Sequence, residues 1–292
     1  MNGTGDFARP STLDAALVLM AEGGWKPVAG ATDIYPAHVT KPLAGRWLDL
    51  SALEELRGVV LTGDGLRIGA LATWANIEAA GLPPAFRALR QAASRIGGRQ
   101  IQNVATVCGN IVNASPAADG APPLLVFDAE VELRSASSKR LVPLAGFLLG
   151  NRKTALAAGE LVTALHIPVP PQGSRSTFLK LGARSHLVIS ITMVALRLSA
   201  DPGDGSVGPC AIAVGACAPT ARRLPALEKR RSLQRSELAS LRVSRKTCDH
   251  CTYRRHTGNG RLSPRSNRAL DRTCLHAVPR RGIAMKSPEH QR

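Results

Sequence analysis

Gln100-Ile-Gln-Asn-Val-Ala-Thr-Val-Cys-Gly-Asn-Ile-Val-Asn-Ala-Ser-Pro-Ala-Ala-Asp119 is the stretch on which the reading of this 292-residue chain turns. It falls in a run of small and polar residues, 97–119, with little periodicity, so neither a long helix nor a strand is expected there. Small side chains let backbone N–H groups approach an anion closely, and successive N–H groups can form a nest around it. Thr106, Asn110, Asn113 and Ser115 add neutral hydrogen-bonding groups, so no lysine is needed. A second loop of the same texture lies upstream, Ala29-Gly30-Ala31-Thr32-Asp33. Two such loops can grip a diphosphate from both sides; one taken alone reads first as an ordinary surface turn, because turns far outnumber phosphate sites.

Working outward, the flanks mix hairpins with helices. Residues 56–61 and 66–70 bracket Gly63-Asp64-Gly65 and read as a β-hairpin. Gly63-x-Gly65-x-x-x-Gly69 therefore has the wrong spacing and context for a dinucleotide fingerprint. Thr73 can cap a helix over 74–80, and 86–96 repeats the helical spacing. Nearer the N-terminus, Ser11 and Asp14 have the spacing of a capping box ahead of a helix over 15–21, which Gly23-Gly24 stops. The stretch from Lys26 reads as a strand entering the first loop, and 47–50 as another short strand. Downstream, 124–133 reads as a helix end passing into a strand. Strands are expected over 160–167, 177–181 and 210–216, while 186–198 is a helix or a buried strand. The irregular alternation favours an α+β fold over a doubly wound sheet.

The formal net charge is +17. On its own it suggests a nucleic acid or anionic partner. Residues 1–221 carry a net +3, however, and residues 222–292 carry +14. No run approaches the roughly 18 apolar residues of a membrane span. No basic flank precedes an apolar core at the N-terminus, so a cytoplasmic protein without a membrane partner is expected. Six cysteines in a long chain without a leader make a disulfide framework a poor reading.

Several motifs, in one order, resemble the FAD-binding medium subunit of molybdenum hydroxylases, the xanthine dehydrogenase and carbon monoxide dehydrogenase group. Residues 100–119, followed by Pro123-Leu-Leu, parallel a family pattern close to QIRN-x-(A/G)T-x-GGN-x-x-x-xSP-x-xD. Phe7-Ala-Arg-Pro10, Ala29-Gly-Ala-Thr-Asp-Ile34 and Leu66-Arg-Ile-Gly-Ala-Leu71 precede it in register. Phe147-Leu-Leu-Gly-Asn-Arg-Lys-Thr154, Gly159-Glu-Leu161, Ile167-Pro168, Phe178-Leu-Lys-Leu-Gly-Ala-Arg184 and Ala213-Val-Gly-Ala-Cys-Ala-Pro-Thr220 follow it. The resemblance spans roughly residues 7–227.

The resemblance implies a PCMH-type FAD-binding domain of two α+β subdomains over 1–172, then a truncated C-terminal α+β domain over 173–228. It implies that Ala29, Gly30, Ala31, Thr32, Asp33 and Ile34 wrap the FAD diphosphate from one side. Thr106, Val107, Cys108, Gly109 and Asn110 would meet it from the other. Asp119 would bond the cofactor and Lys180 would sit near the flavin, with Ile96 and Thr163 at less specific positions near the isoalloxazine ring. Bland alternatives stand beside these: Asp119 as a helix cap, Lys180 as a solvated strand residue, Ile96 as core. No catalytic side chain and no metal site are implied on this chain, whose body lacks iron–sulfur cysteine spacing. The partners implied are a molybdopterin-binding large subunit, a [2Fe–2S] small subunit and an electron acceptor such as NAD. A free-standing FAD oxidoreductase and a basic nucleic-acid-associated protein are the alternatives.

Two departures touch the implied site. The usual Gly-Gly-Thr of the first loop is Gly30-Ala31-Thr32, and the first Gly of Gly-Gly-Asn is Cys108. If position 108 needs positive φ, Cys is strained there; if it needs only a small side chain, Cys fits. Cys108 reads as a buried small hydrophobe or as a redox-active thiol. Beyond Glu228 the correspondence stops. Residues 229–292 have three readings: a zinc site from Cys248, Cys251, His256, Cys274 and His276; a nucleic-acid arm with one aromatic, Tyr253; or a disordered, non-native segment such as an out-of-frame coding region encodes.

Overall fold

In the computed structural model, the residues described are 5–40, 43–200 and 207–229. The zinc, nucleic-acid and non-native readings of the tail lie outside them.

The chain opens with β1 (Phe7–Ala8), α1 (Leu13–Glu22), β2 (Trp25–Val28), α2 (Ile34–Ala37) and β3 (Arg46–Asp49). β3 is central, with β1 and β2 both parallel to it. α1 buries Leu13, Ala16, Leu17 and Met20, one face at helical spacing. Its cap is Thr12, whose hydroxyl accepts from the Ala15 N–H, one position later than the Ser11–Asp14 spacing predicts.

A second group follows: β4 (Val59–Thr62), β5 (Gly65–Gly69), α3 (Trp74–Ala79), α4 (Arg87–Ala93), α5 (Arg99–Val104), α6 (Val107–Val112), α7 (Ala121–Val126), β6 (Glu130–Arg134), β7 (Lys139–Pro143), α8 (Leu144–Phe147), β8 (Leu148–Gly150), β9 (Lys153–Thr154) and β10 (Leu161–Pro168). Five strands form an antiparallel sheet in the order β4-β5-β10-β6-β7. β4 and β5 are the hairpin expected around Gly63-Asp64, which places no helix behind Gly69. Thr73 caps α3 in a full capping box with Asn76. Residues 97–119 differ from expectation, because they hold two helices, α5 and α6. Each is six residues long, under two turns, too short to leave a periodic signature.

The last group is β11 (Arg175–Leu181), β12 (Thr192–Ala200), β13 (Val207–Gly215), β14 (Arg222–Arg223) and α9 (Pro225–Glu228). Its four strands are antiparallel in chain order. The ambiguous 186–198 stretch is a loop followed by β12. α4 and α7 pack on this sheet. Phe178, Met193, Ala195, Ala211 and Ala213 therefore join the same core as Trp74, Leu89 and Leu124. Two arginines pin the join. Arg197 Nε donates to the Val126 carbonyl at 2.7 Å and Arg223 Nη1 to the Leu125 carbonyl at 3.1 Å. The Val126 carbonyl is one of the last of α7, which lack a partner within the helix, while the Leu125 carbonyl also accepts the Asp128 N–H. Glu228 then closes the sheet, pairing with Arg223 at 2.6 Å and accepting the Ile212 N–H at 2.9 Å.

Candidate functional site

The two small-residue loops meet. A Cβ on Gly30 would lie 1.9 Å from the Val104 carbonyl oxygen and 3.2 Å from the Ala105 Cα. Only glycine permits that approach, which sets the first loop against the chain entering the second. The next residue, Ala31, has φ of 54°, a left-handed conformation that strains an L side chain. Its carbonyl accepts the Ile34 and Tyr35 N–H groups and starts α2. The N–H groups of Gly30, Ala31, Thr32 and Asp33 have no intramolecular acceptor among the described residues. They form a run of four successive unpaired donors, the raw material of an anion nest.

The second loop is more occupied. The Thr106 hydroxyl caps α6 by accepting the Gly109 N–H at 3.0 Å, and the Thr106 carbonyl accepts the Asn110 N–H. Val107 donates to the Ala72 carbonyl, and Trp74 to the Ala105 carbonyl, strapping the loop to the start of α3. Thr106 and Cys108 keep unpaired N–H groups among the described residues. The Asn110 side chain accepts from the Gly120 N–H at 3.3 Å. Val107 and Cys108 turn their side chains into the core. Cys108 lies in α6, outside the positive-φ residues, so its position needs a small side chain and imposes no strain. It is 2% exposed, and burial pushes its thiol up to about 12, which keeps it protonated and makes it a buried small residue rather than a redox thiol.

Asp119 and Lys180 come together. Lys180 Nζ lies 2.6 Å from Asp119 Oδ2, with both side chains 8% exposed, and also donates to the Arg95 carbonyl at 3.3 Å. Burial pushes the Asp119 carboxyl above its usual range, against the pull of hydrogen bonds from Lys180 and Ser190. A cleft of about 200 Å³ opens beside Lys180, lined also by Gln91, Ser94, Arg95, Phe178 and Leu179. Half-buried Ile96 follows Arg95 directly.

Thr163 sits apart from these donors. It is 1% exposed and its hydroxyl donates to Glu132 at 2.6 Å. An irregularity in the β10–β6 register between Val162 and Ala164 accommodates it. Its backbone carbonyl does connect to the site, accepting from Ala70, two residues before the Ala72 that holds Val107. Glu132 also meets His166 Nε2 at 2.8 Å and Lys139 Nζ at 2.9 Å. Burial pushes its carboxyl up, but the hydrogen bonds from Thr163, Lys139 and His166 outweigh that and hold it at about 2.

Residues 3–170 match the family profile described as "FAD binding domain in molybdopterin dehydrogenase". This chain belongs to that family. It is 37% identical over 223 residues to the xanthine dehydrogenase FAD-binding subunit of Escherichia coli O157:H7, covering 74% of this chain and 76% of that one. It is 32% identical over 225 residues to the nicotinate dehydrogenase FAD-subunit of Eubacterium barkeri, covering 73% and 74%. The fold matches reconstituted CO dehydrogenase from Oligotropha carboxidovorans with a TM-score of 0.71 at 26% identity, covering 82% and 85% of the two chains. The chain is thus an FAD-binding subunit of the molybdenum hydroxylase family, an α+β oxidoreductase component. Among the described residues, no helix is long and apolar enough to cross a membrane.

Within this FAD-binding subunit, sequence reading missed Ser190, Arg95 and Glu132. Ser190 had a signal: it is a hydroxyl set in the apolar run Leu187-Val-Ile-Ser-Ile191. Arg95 acts through its carbonyl, and Glu132 through a carboxylate whose partners come from two other strands, and neither leaves a mark in the sequence.

Proposed function

We propose that this chain carries electrons through FAD within a molybdenum hydroxylase complex. It would receive them from [2Fe–2S] clusters of a small subunit, with a molybdopterin-binding large subunit as the site of substrate oxidation. It would deliver them to NAD or another acceptor. The observation that carries the reading is the pressed pair of loops: unpaired N–H groups on Gly30–Asp33, in a loop held against the chain that enters the segment capped by Thr106. Unpaired donors next to a backbone approach that only glycine allows fit a diphosphate held by backbone groups.

Gly30, Ala31, Thr32 and Asp33 would hold the diphosphate through their N–H groups, with Ile34 anchoring the loop to α2. Thr106, Cys108, Gly109 and Asn110 would meet it from the other side, with Val107 as their core anchor. Lys180 and Asp119 would fix the flavin end, near Ile96, while Thr163 supports β10 behind the second loop. FAD, when bound, supplies the redox chemistry; the chain binds it, orients it and sets its surroundings. The division into residues 1–172, an FAD-binding unit, and 173–228, a following sheet, is part of the same proposal. Support comes from the family match ending at residue 170 and from β11 starting at Arg175.

FAD titrated into the full chain should be taken up stoichiometrically, with flavin absorbance co-migrating with the protein. Isolation from its native cells should bring molybdenum and iron with it. A chain that refuses added FAD overturns the flavin assignment; one that holds FAD but never recruits molybdenum or iron overturns the complex.

A further inference from the structure

The Asp119–Lys180 pair has a third member. Ser190 Oγ donates to Asp119 Oδ1 at 2.5 Å and is 5% exposed, so the hydroxyl, the carboxylate and the ammonium form one buried chain. Ser190 arrives on the loop between β11 and β12. The Ile191 N–H closes that loop by donating to the Leu181 carbonyl at 2.8 Å. Within it, the Arg184 guanidinium clasps the Leu187 carbonyl while Leu187 holds a φ of 49°. A loop shaped this firmly delivers one hydroxyl to one carboxylate oxygen.

A lysine ammonium rides on a flexible four-carbon stem, so its acceptors decide where it sits. Here these are Asp119 Oδ2 and the Arg95 carbonyl, which leave one of its three N–H donors for a ligand in the adjoining cleft. The carboxyl torsion of an aspartate is broad, so Oδ2 is fixed only if Oδ1 is also held. We propose that Ser190 is a positioning residue of the FAD site: by pinning Asp119 it fixes the Lys180 ammonium at the cleft. This rests on the reading of Lys180 as an FAD contact. It also makes cofactor retention depend on a loop beyond the family's FAD-binding segment, which ends at residue 170.

The test is FAD titration of the full-length apoprotein in four variants: S190A, S190T, K180M and S190A/K180M. S190A should weaken FAD binding about tenfold, as loss of a hydrogen bond to a charged group does, and S190T, which keeps the hydroxyl, should regain most of it. K180M should weaken binding at least as much, and S190A should add nothing further in the K180M background. The flavin absorption band should shift alike in S190A and K180M. Wild-type FAD affinity in S190A, or losses that add in the double variant, overturns the proposal. Should S190A fail to fold, S190C keeps the bulk and weakens the donor; wild-type affinity in S190C is then the overturning result. Failure of the unmutated chain to bind FAD overturns the flavin reading beneath the proposal and is recognisable as such.

Discussion

At the residue scale the first loop carries its strain on Ala31 and its closeness on Gly30. A left-handed alanine costs roughly 1–2 kcal/mol, while the extra freedom that glycine gives the unfolded chain would cost folding about 0.4–1 kcal/mol. Ala31→Gly should therefore stabilise the chain by about 0.5–1 kcal/mol, read as a higher urea midpoint at unchanged slope, with FAD affinity undiminished because the N–H groups are untouched. An unchanged or lower midpoint would show that the strain is relieved elsewhere. That the two loops form irregular, small-residue segments was legible in the sequence, but each alone reads as a surface turn, and only the ordered motifs around them set them apart. The location of the strain was not legible. The departure from Gly-Gly-Asn at Cys108 invited suspicion, yet that residue is helical and unstrained, whereas Ala31, an equally small replacement, has the positive φ. Residue type does not reveal φ when two glycine positions have both been replaced.

At the element scale, β10 joins the central sheet to the site through charges as well as through its ladder. Glu132 on β6 is gripped by Thr163 and His166 of β10 and by Lys139 of β7, so three adjacent strands share one buried carboxylate. Its folded-state value of about 2 lies below the usual carboxyl value near 4.5. The stabilisation is therefore fully present above that usual value and is lost as pH falls toward 2. The loss should reach on the order of 3 kcal/mol. Urea midpoints measured down this range should fall steeply for the natural chain and less steeply for Glu132→Gln, which starts lower at neutral pH. Parallel acid limbs would separate the acid response from Glu132. Most elements were readable from the residues because hairpin glycines and Thr73 mark their own boundaries. α5 and α6 escaped because six residues show no period, and the β11–β12 loop escaped because its apolar residues imitate a strand.

At the scale of the whole molecule, the +17 resolves into a body of +3 and a segment of +14. The described structure follows the first of these. One continuous core runs from α1 to β13, and arginine contacts at the end of α7 fasten the last sheet to the FAD-binding segment. The overall plan was legible because ordered motifs accumulate along some 220 residues. The polar contacts across its joins, made by Arg197, Arg223 and Ser190, have no such redundancy. The press of Gly30 against Val104 also has a temporal meaning. It unites positions 74 residues apart, with α2, β3, the β4–β5 hairpin, α3, α4 and α5 along the span. Closing so long a span costs more chain entropy than making the local contacts inside it, so the clasp is expected on the native side of the folding barrier. A ligand gripped there should lengthen the lifetime of the folded chain without hastening its birth. Stopped-flow traces should show FAD slowing the unfolding limb and leaving the refolding limb in place; faster refolding with FAD would put the clasp in the nucleus instead.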